Sequence, residues 1–398
     1  MKIYSRLLAL VALTATVGCN KNIDIPANEI ELPLDPSKHY IHFDADIATK
    51  GALLEGNILL DDFAVLGYQY PGTWEAEKVL ATPNVFDAHP QIVAYKNDVF
   101  TYGTPKVWTG NKYSFFGYYP SNHSKITLFD NNKTKTGDPY IVYELPISSQ
   151  PTDLIDVMTA SYIDTGVASS ASVAMEFHHR LAAVDIGARN YYEFNHDQNT
   201  ETPDKQVTIE ISSLTLDLTN IVSTSAKIYL DHTIPTELNY KPTRESISYV
   251  MVGTAAWAPN TFDVKPNTAQ DRAIRLVTTQ EGDNASSILL LPQTELLHGT
   301  VSLTYKKKYT DDDGTIMYQK INVGDNGETY YTWTPLPTDT NAHQFYEFKP
   351  SLPINFSKEL IEGRRYYIEL TFTSDAVSVN IIAADEWNTL PDVKHEFE

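Results

Sequence analysis

Residues 207–218 read VTIEISSLTLDL. Val207, Ile209 and Ile211 alternate with polar residues, and so do Leu214, Leu216 and Leu218. A period of two puts one apolar set on one face of a β-strand, whereas an amphipathic helix needs a period near 3.6. The phase slips by one at Ser212-Ser213. That slip predicts a β-bulge, or a break between two strands.

The same period recurs along the chain. In 40–47 (YIHFDADI) the apolar set is Ile41, Phe43, Ala45 and Ile47, with His42, Asp44 and Asp46 opposite. Tyr366, Ile368, Leu370 and Phe372 alternate again. Residues 301–309 and 316–323 flank Asp311, Asp312, Asp313 and Gly314, which reads as a hairpin. Helix signals are confined to 75–80 (EAEKVL) and 357–362 (SKELIE). Many short strands with few helices predict an all-β protein built of β-sandwiches. At 398 residues the chain is long enough for two of them.

Composition narrows the function. The 51 acidic against 30 basic residues give a net charge of -21, so no nucleic-acid partner is expected. A single cysteine excludes an intrachain disulfide and a cysteine metal cluster. Lys2 and Arg6 precede an apolar run at 7–17, followed by Gly18 and Cys19. This is a secretory signal, too short for a permanent membrane span. A small residue before a cysteine at this place resembles a bacterial lipobox. It implies a signal peptide over 1–18, an acylated (palmitate-bearing) Cys19 and a polar tether over 19–38. Acyl chains would anchor the chain at about 0.8 kcal/mol per buried CH₂.

No phosphate loop, dinucleotide fingerprint, zinc-protease helix or nucleophile elbow is present. No catalytic residue, no cofactor and no metal are expected. His178 and His179 are adjacent, so in a strand they face opposite ways and cannot chelate one ion together. Asp311–Gly314 reads as a turn, since it lacks the length and the closing glutamate of a calcium loop. Arg364 and Arg365 read as a solvated strand end. The five tryptophans, Trp74, Trp108, Trp257, Trp333 and Trp387, read mostly as core anchors.

Several segments in order resemble the fimbrillin family, lipoprotein-derived pilus subunits of anaerobic Gram-negative commensals. They are 41–50 (IHFDADIATK), 63–70 (FAVLGYQY), Trp108 with 113–120 (YSFFGYYP), 153–160 (DLIDVMTA) and 173–186 (VAMEFHHRLAAVDI). In the second half 289–293 (LLLPQ), 361–372 (IEGRRYYIELTF) and Trp387 fit too. The resemblance implies two tandem transthyretin-like β-sandwich domains, and the boundary is expected in the polar stretch near residue 188. The domains would then span 39–188 and 189–398. It implies a non-enzymatic fimbrial (pilus) subunit for adhesion, displayed as a lipoprotein on the outer membrane.

It also implies a mechanism of assembly. In stalk members a protease removes the segment through the first strand, and a neighbour's strand fills the groove left behind. Here Ile41, Phe43, Ala45 and Ile47 would be the groove-filling set, with cleavage between Lys50 and Gly51. Characterised stalk members are cut after arginine, so Lys50 departs from the pattern. Lys50 can equally be a solvated loop residue in an uncut anchor, tip or accessory subunit. The implied partners are other pilus subunits, head to tail, and a host or bacterial surface ligand. The alternative, from a different class, is a monomeric glycan-binding surface lipoprotein.

Overall fold

The computed structural model describes residues 38–47, 62–97, 99–129, 137–146, 154–165, 172–190, 207–239, 245–252, 260–264, 274–275, 287–311, 313–338, 346–372 and 376–383. Nearly all of the regular structure is strand, which bears out the all-β expectation. Residues from His39 onward form one compact unit.

Four sheets are present among the described residues. The first runs β1 (Phe43–Ile47), β9 (Val173–His179), β8 (Met158–Thr165), β5 (Lys112–Tyr119), β2 (Asp62–Tyr70), β3 (Gln91–Lys96), β4 (Val99–Thr101). The second runs β13 (Glu237–Leu238), β12 (Ser225–Tyr229), β7 (Tyr140–Glu144), β6 (Ile126–Phe129). The third runs β16 (Ile274–Arg275), β10 (Ala182–Asn190), β22 (Arg365–Phe372), β23 (Val377–Ala383), with β17 (Ile288–Leu290) also on β10. The fourth runs β14 (Glu245–Val252), β11 (Val207–Ile221), β18 (His298–Thr310), β19 (Ile316–Val323), β20 (Thr329–Pro335). In it β15 (Asn260–Val264) also pairs with β11, and β21 (Ser351–Asn355) with β18.

The predicted phase slip is a bulge. The β11–β18 register jumps between Ile211 and Ser213. Ser212 is turned to solvent, so Ile209, Ile211, Leu214, Leu216 and Leu218 are all buried on one face. The Asp311–Gly314 turn joins β18 to β19, with Gly314 at φ +86°, a backbone region that suits glycine.

Residue 188 lies inside β10 and is not in a linker. The second sheet takes β6 and β7 from before that point and β12 and β13 from after it. The sheets are therefore interleaved along the chain.

Two apolar cores result. The larger joins one face of the first sheet (Ala64, Leu66, Tyr68, Phe116) to the second sheet (Ile141, Tyr143, Ala226, Ile228) and to residues of the other two sheets. The smaller fills the opposite face of the first sheet, with Phe43, Phe63, Val65, Phe115, Met175 and Phe177.

Local helix signals fared less well than strand signals. One short helix, α1 (Trp74–Glu77), forms where 75–80 suggested one. Its Trp74 sits 4.9 Å from Tyr68 and 4.8 Å from Phe116, ring to ring. No helix forms at 357–362. Leu360 instead exchanges two backbone hydrogen bonds with Gln293, at 2.9 and 3.0 Å. An isolated six-residue helix is marginal in water, so sheet pairing wins.

Candidate strand-exchange site

β1 is an edge strand of the first sheet and runs parallel to β9, with Phe43 beside Val173 and Ile47 beside Phe177. Parallel pairing needs strands distant in sequence, so this edge is held by residues about 130 positions downstream, as the register Phe43↔Val173 shows. The chain before β1 is tied to the other side. The Ile41 amide donates to the Lys106 carbonyl at 2.8 Å, and the Trp108 amide to the His39 carbonyl at 2.9 Å. The Tyr102 hydroxyl donates to the Ile41 carbonyl at 2.7 Å. Burial pushes the Tyr102 phenol up to about 12, so it stays a neutral donor at any ordinary pH.

The expected alternation is visible in burial. Ile41 and Phe43 are 1% and 2% exposed, while His42, Asp44 and Asp46 face solvent. The Phe43 ring sits among Phe63, Tyr102 and Phe115, at 5.9, 5.7 and 5.5 Å, each edge to face. Phe86 closes the pocket at 6.1 Å. Edge-to-face packing suits the ring quadrupole and adds to the burial of area. Ala45 is half-buried against the same core. Ile47 holds its register place on β9, and its side chain lies outside the described residues, as do Cys19, Lys50 and Gly51.

Phe86 carried no signal in the sequence. It reaches the pocket because β2 carries a glycine below it. A Cβ on Gly67 would lie 2.7 Å from the Phe86 ring and 2.8 Å from Val85. The Gly67 carbonyl also accepts the amides of Asn84 and Val85, at 3.0 and 3.2 Å. A glycine inside a strand does mark such close approaches.

His178 and His179 do face opposite ways. His179 is buried, its Nδ1 2.7 Å from Asp156 Oδ2. His178 stacks on His232, a partner that no sequence spacing indicated. Arg365 is not a solvated strand end. It is fully buried, 3.3 Å from Asp185, because β22 is covered on both faces. Trp74 and Trp108 are buried, Trp333 packs against the larger core, and Trp257 and Trp387 lie outside the described residues. Among the described residues no three His, Cys, Asp or Glu side chains are grouped to hold a metal ion.

Arg180, just past β9, is a second junction. It is 0% exposed and 2.5 Å from Glu362, and it donates to the Ile234 carbonyl at 2.8 Å and to Thr159 Oγ1 at 3.2 Å. Burial holds the Arg180 guanidinium below its usual range and pushes the Glu362 carboxyl up, in each case outweighing the attraction of the partner.

The sequence matches the fimbrillin-like family over residues 60–386. The chain belongs to that family, a fimbrial and cell-surface class of protein. In fold it is similar to a fimbrial protein from Bacteroides vulgatus, with 20% identity and a TM-score of 0.52, over 88% of this chain and 99% of that one. Weaker likenesses reach the tip fimbrial protein Mfa3 from Porphyromonas gingivalis, with 9% identity, a TM-score of 0.34, and 87% and 99% coverage. They also reach a fimbrilin (FimA) from Porphyromonas gingivalis, with 9% identity, a TM-score of 0.31, and 87% and 96% coverage. No curated protein matches the sequence.

Proposed function

We propose that this chain is a fimbrial subunit, exported as a lipoprotein acylated at Cys19, in which β1 is an exchangeable strand. Proteolysis between Lys50 and Gly51 frees the segment through β1. A strand from a neighbouring subunit then pairs with β9, with its alternate side chains in the sites of Ile41, Phe43 and Ala45. The chemistry is β-augmentation, in which backbone hydrogen bonds give affinity and alternating pockets give specificity. Because donor and acceptor surfaces differ, the contact propagates head to tail. The four sheets pair, in this reading, as two sandwiches.

The observation that supports this is the position of β1. It is an edge strand whose Phe43, with Ile41 just before the strand, is seated in an aromatic pocket formed entirely by later residues. Mass spectrometry of protein sheared from cells is the test. Gly51 as the first residue, together with filaments under negative stain, is the expected result. An intact acylated Cys19 on single particles would refute assembly by strand exchange.

A further inference from the structure

On the far side of the first sheet from β1's pocket, two histidines meet. His178 comes from β9. His232 comes from the loop between β12 and β13, at the edge of the second sheet. Their rings are nearly parallel, 13° apart, with centroids separated by 3.8 Å. The two sheets are thus in contact through a pair of imidazoles, both half-buried.

We propose that the stacked His178–His232 pair is a pH-sensitive latch, which holds the β12–β13 hairpin against β8 and β9 and releases it on acidification.

Two imidazolium ions cannot share this stack without like-charge repulsion in a partly dry setting. The surroundings decide how much is offset. From β9, Glu176 is exposed beside the pair, and Arg180 adds a buried positive charge just beyond the strand. The neighbouring His179 points to the opposite face, towards Asp156. Glu362, from the turn before β22, is committed to Arg180 and accepts from Thr236 Oγ1 at 2.7 Å. From the β12–β13 loop, Asp231 accepts the Thr233 amide at 3.0 Å and its hydroxyl at 2.9 Å. From β8, Ser161 Oγ donates to Asp231 at 3.2 Å and lies 3.4 Å from His232 Nδ1. All three bonds fall on Asp231 Oδ1, and its charge still favours a protonated His232, as that of Glu176 does for both rings; burial of the rings and the charge of Arg180 act against them. Burial, followed for His178 by its partner ring, pushes both histidines below their ordinary value.

The sign follows. The closed fold favours neutral rings, so the opened hairpin binds the extra protons. Closure is fully present above the ordinary histidine pKa of about 6.5 and weakens as pH falls below it, with an opening constant that rises about tenfold per pH unit for each proton taken up. The hairpin has local ties to lose. The Arg180 guanidinium, just past β9, donates to the Ile234 carbonyl at 2.8 Å, and the Ser161 hydroxyl of β8 to Asp231 at 3.2 Å.

The test is amide hydrogen exchange of the full chain from pH 7.5 to 5, corrected for intrinsic rates. Protection over residues 229–237 should fall at least about tenfold per unit below pH 6.5, while the β11–β18 ladder stays unchanged. In His178→Gln/His232→Gln that fall should vanish although the hairpin remains closed at pH 7.5. An unchanged pH dependence in the double variant, or none in the wild type, overturns the proposal. Should the double variant fail to fold, histidine NMR titration of the wild type decides. Two rings titrating below the ordinary value support the latch, and two titrating together at that value refute it.

Discussion

Phe43→Ala tests whether β1 is held by its side chains or only by its backbone. The phenyl ring is 2% exposed and its four ring neighbours come from four separate segments. Truncating a core phenylalanine costs about 3–5 kcal/mol, the transfer of the ring plus the cavity left behind. Burial of Ile41 and Phe43 together contributes about 3–6 kcal/mol, at about 1.5–3 kcal/mol for each side chain. The substitution thus removes half or more of the side-chain anchoring of β1. Because β1 is an edge strand, the loss need not appear as global unfolding. It should appear first as local release. Exchange of β1 and β9 amides should accelerate by about a hundredfold or more, since each 1.4 kcal/mol is a factor of ten. Global stability in urea should fall by no more than the cost of the cavity. Asp44→Ala, one residue on and solvent-facing, should change either by less than about 0.5 kcal/mol. A Phe43→Ala protein whose β1 protection matches that of Asp44→Ala would refute the claim that the aromatic pocket holds the strand.

Substitutions at three further places probe the surrounding framework. Gly67→Ala should cost about 1–3 kcal/mol by overpacking, because the new methyl meets the Phe86 ring at 2.7 Å, and urea denaturation reads it directly. Arg180→Ala should destabilise by about 1–3 kcal/mol by taking the paired charge from the half-buried Glu362, which keeps only its Thr236 hydrogen bond, whereas Arg180→Met with Glu362→Leu should recover most of that in the same assay. Glu237 accepts from Tyr229 at 2.8 Å and from Lys227 at 3.2 Å, and these bonds hold its carboxyl below the usual range. For an acid lowered in this way, stability is present above its ordinary pKa and is lost as pH falls through the folded value. Glu237→Gln should therefore flatten the acid limb of a stability–pH curve slightly, the side chain being mostly in water, and leave the curve between pH 6 and 8 unchanged in shape.

What could be read from the chain followed from how far apart the interacting residues lie. The strand of 207–218, its bulge at Ser212 and the turn at Asp311–Gly314 depend on neighbours in sequence, and all three were legible. So was the inward set of β1, because burial on one face imposes the period. Phe86, His232 and the Arg180–Glu362 pair were not legible, because each is made by tertiary contact between segments with no shared pattern. Arg365 misled for the opposite reason. Two arginines before a strand look solvated, yet a strand covered on both faces buries whatever stands at its start, and Asp185 on the neighbouring β10 supplies the compensating charge. The boundary near residue 188 shows a third limit. The stretch after β10 is polar, and a polar stretch marks where chain leaves a sheet, not which sheet it enters next. Here β11 joins the fourth sheet while β12 returns to the second.

That interleaving bears on strand exchange. If β1 left a sandwich made only of residues before it was closed by β10, the opened half could collapse independently. Instead the first sheet shares its larger core with β12, and β9 is clasped from behind by Arg180, which reaches Ile234 in the β12–β13 loop and Glu362 before β22. Later strands therefore brace the sheet on the face away from β1. Under the proposed exchange, a groove emptied of β1 would keep this back wall, with the apolar pocket of Phe63, Phe86 and Phe115 facing a replacement strand. Pre-organisation of this kind lowers the cost of ordering on binding, which is the term that limits strand addition to a flexible acceptor.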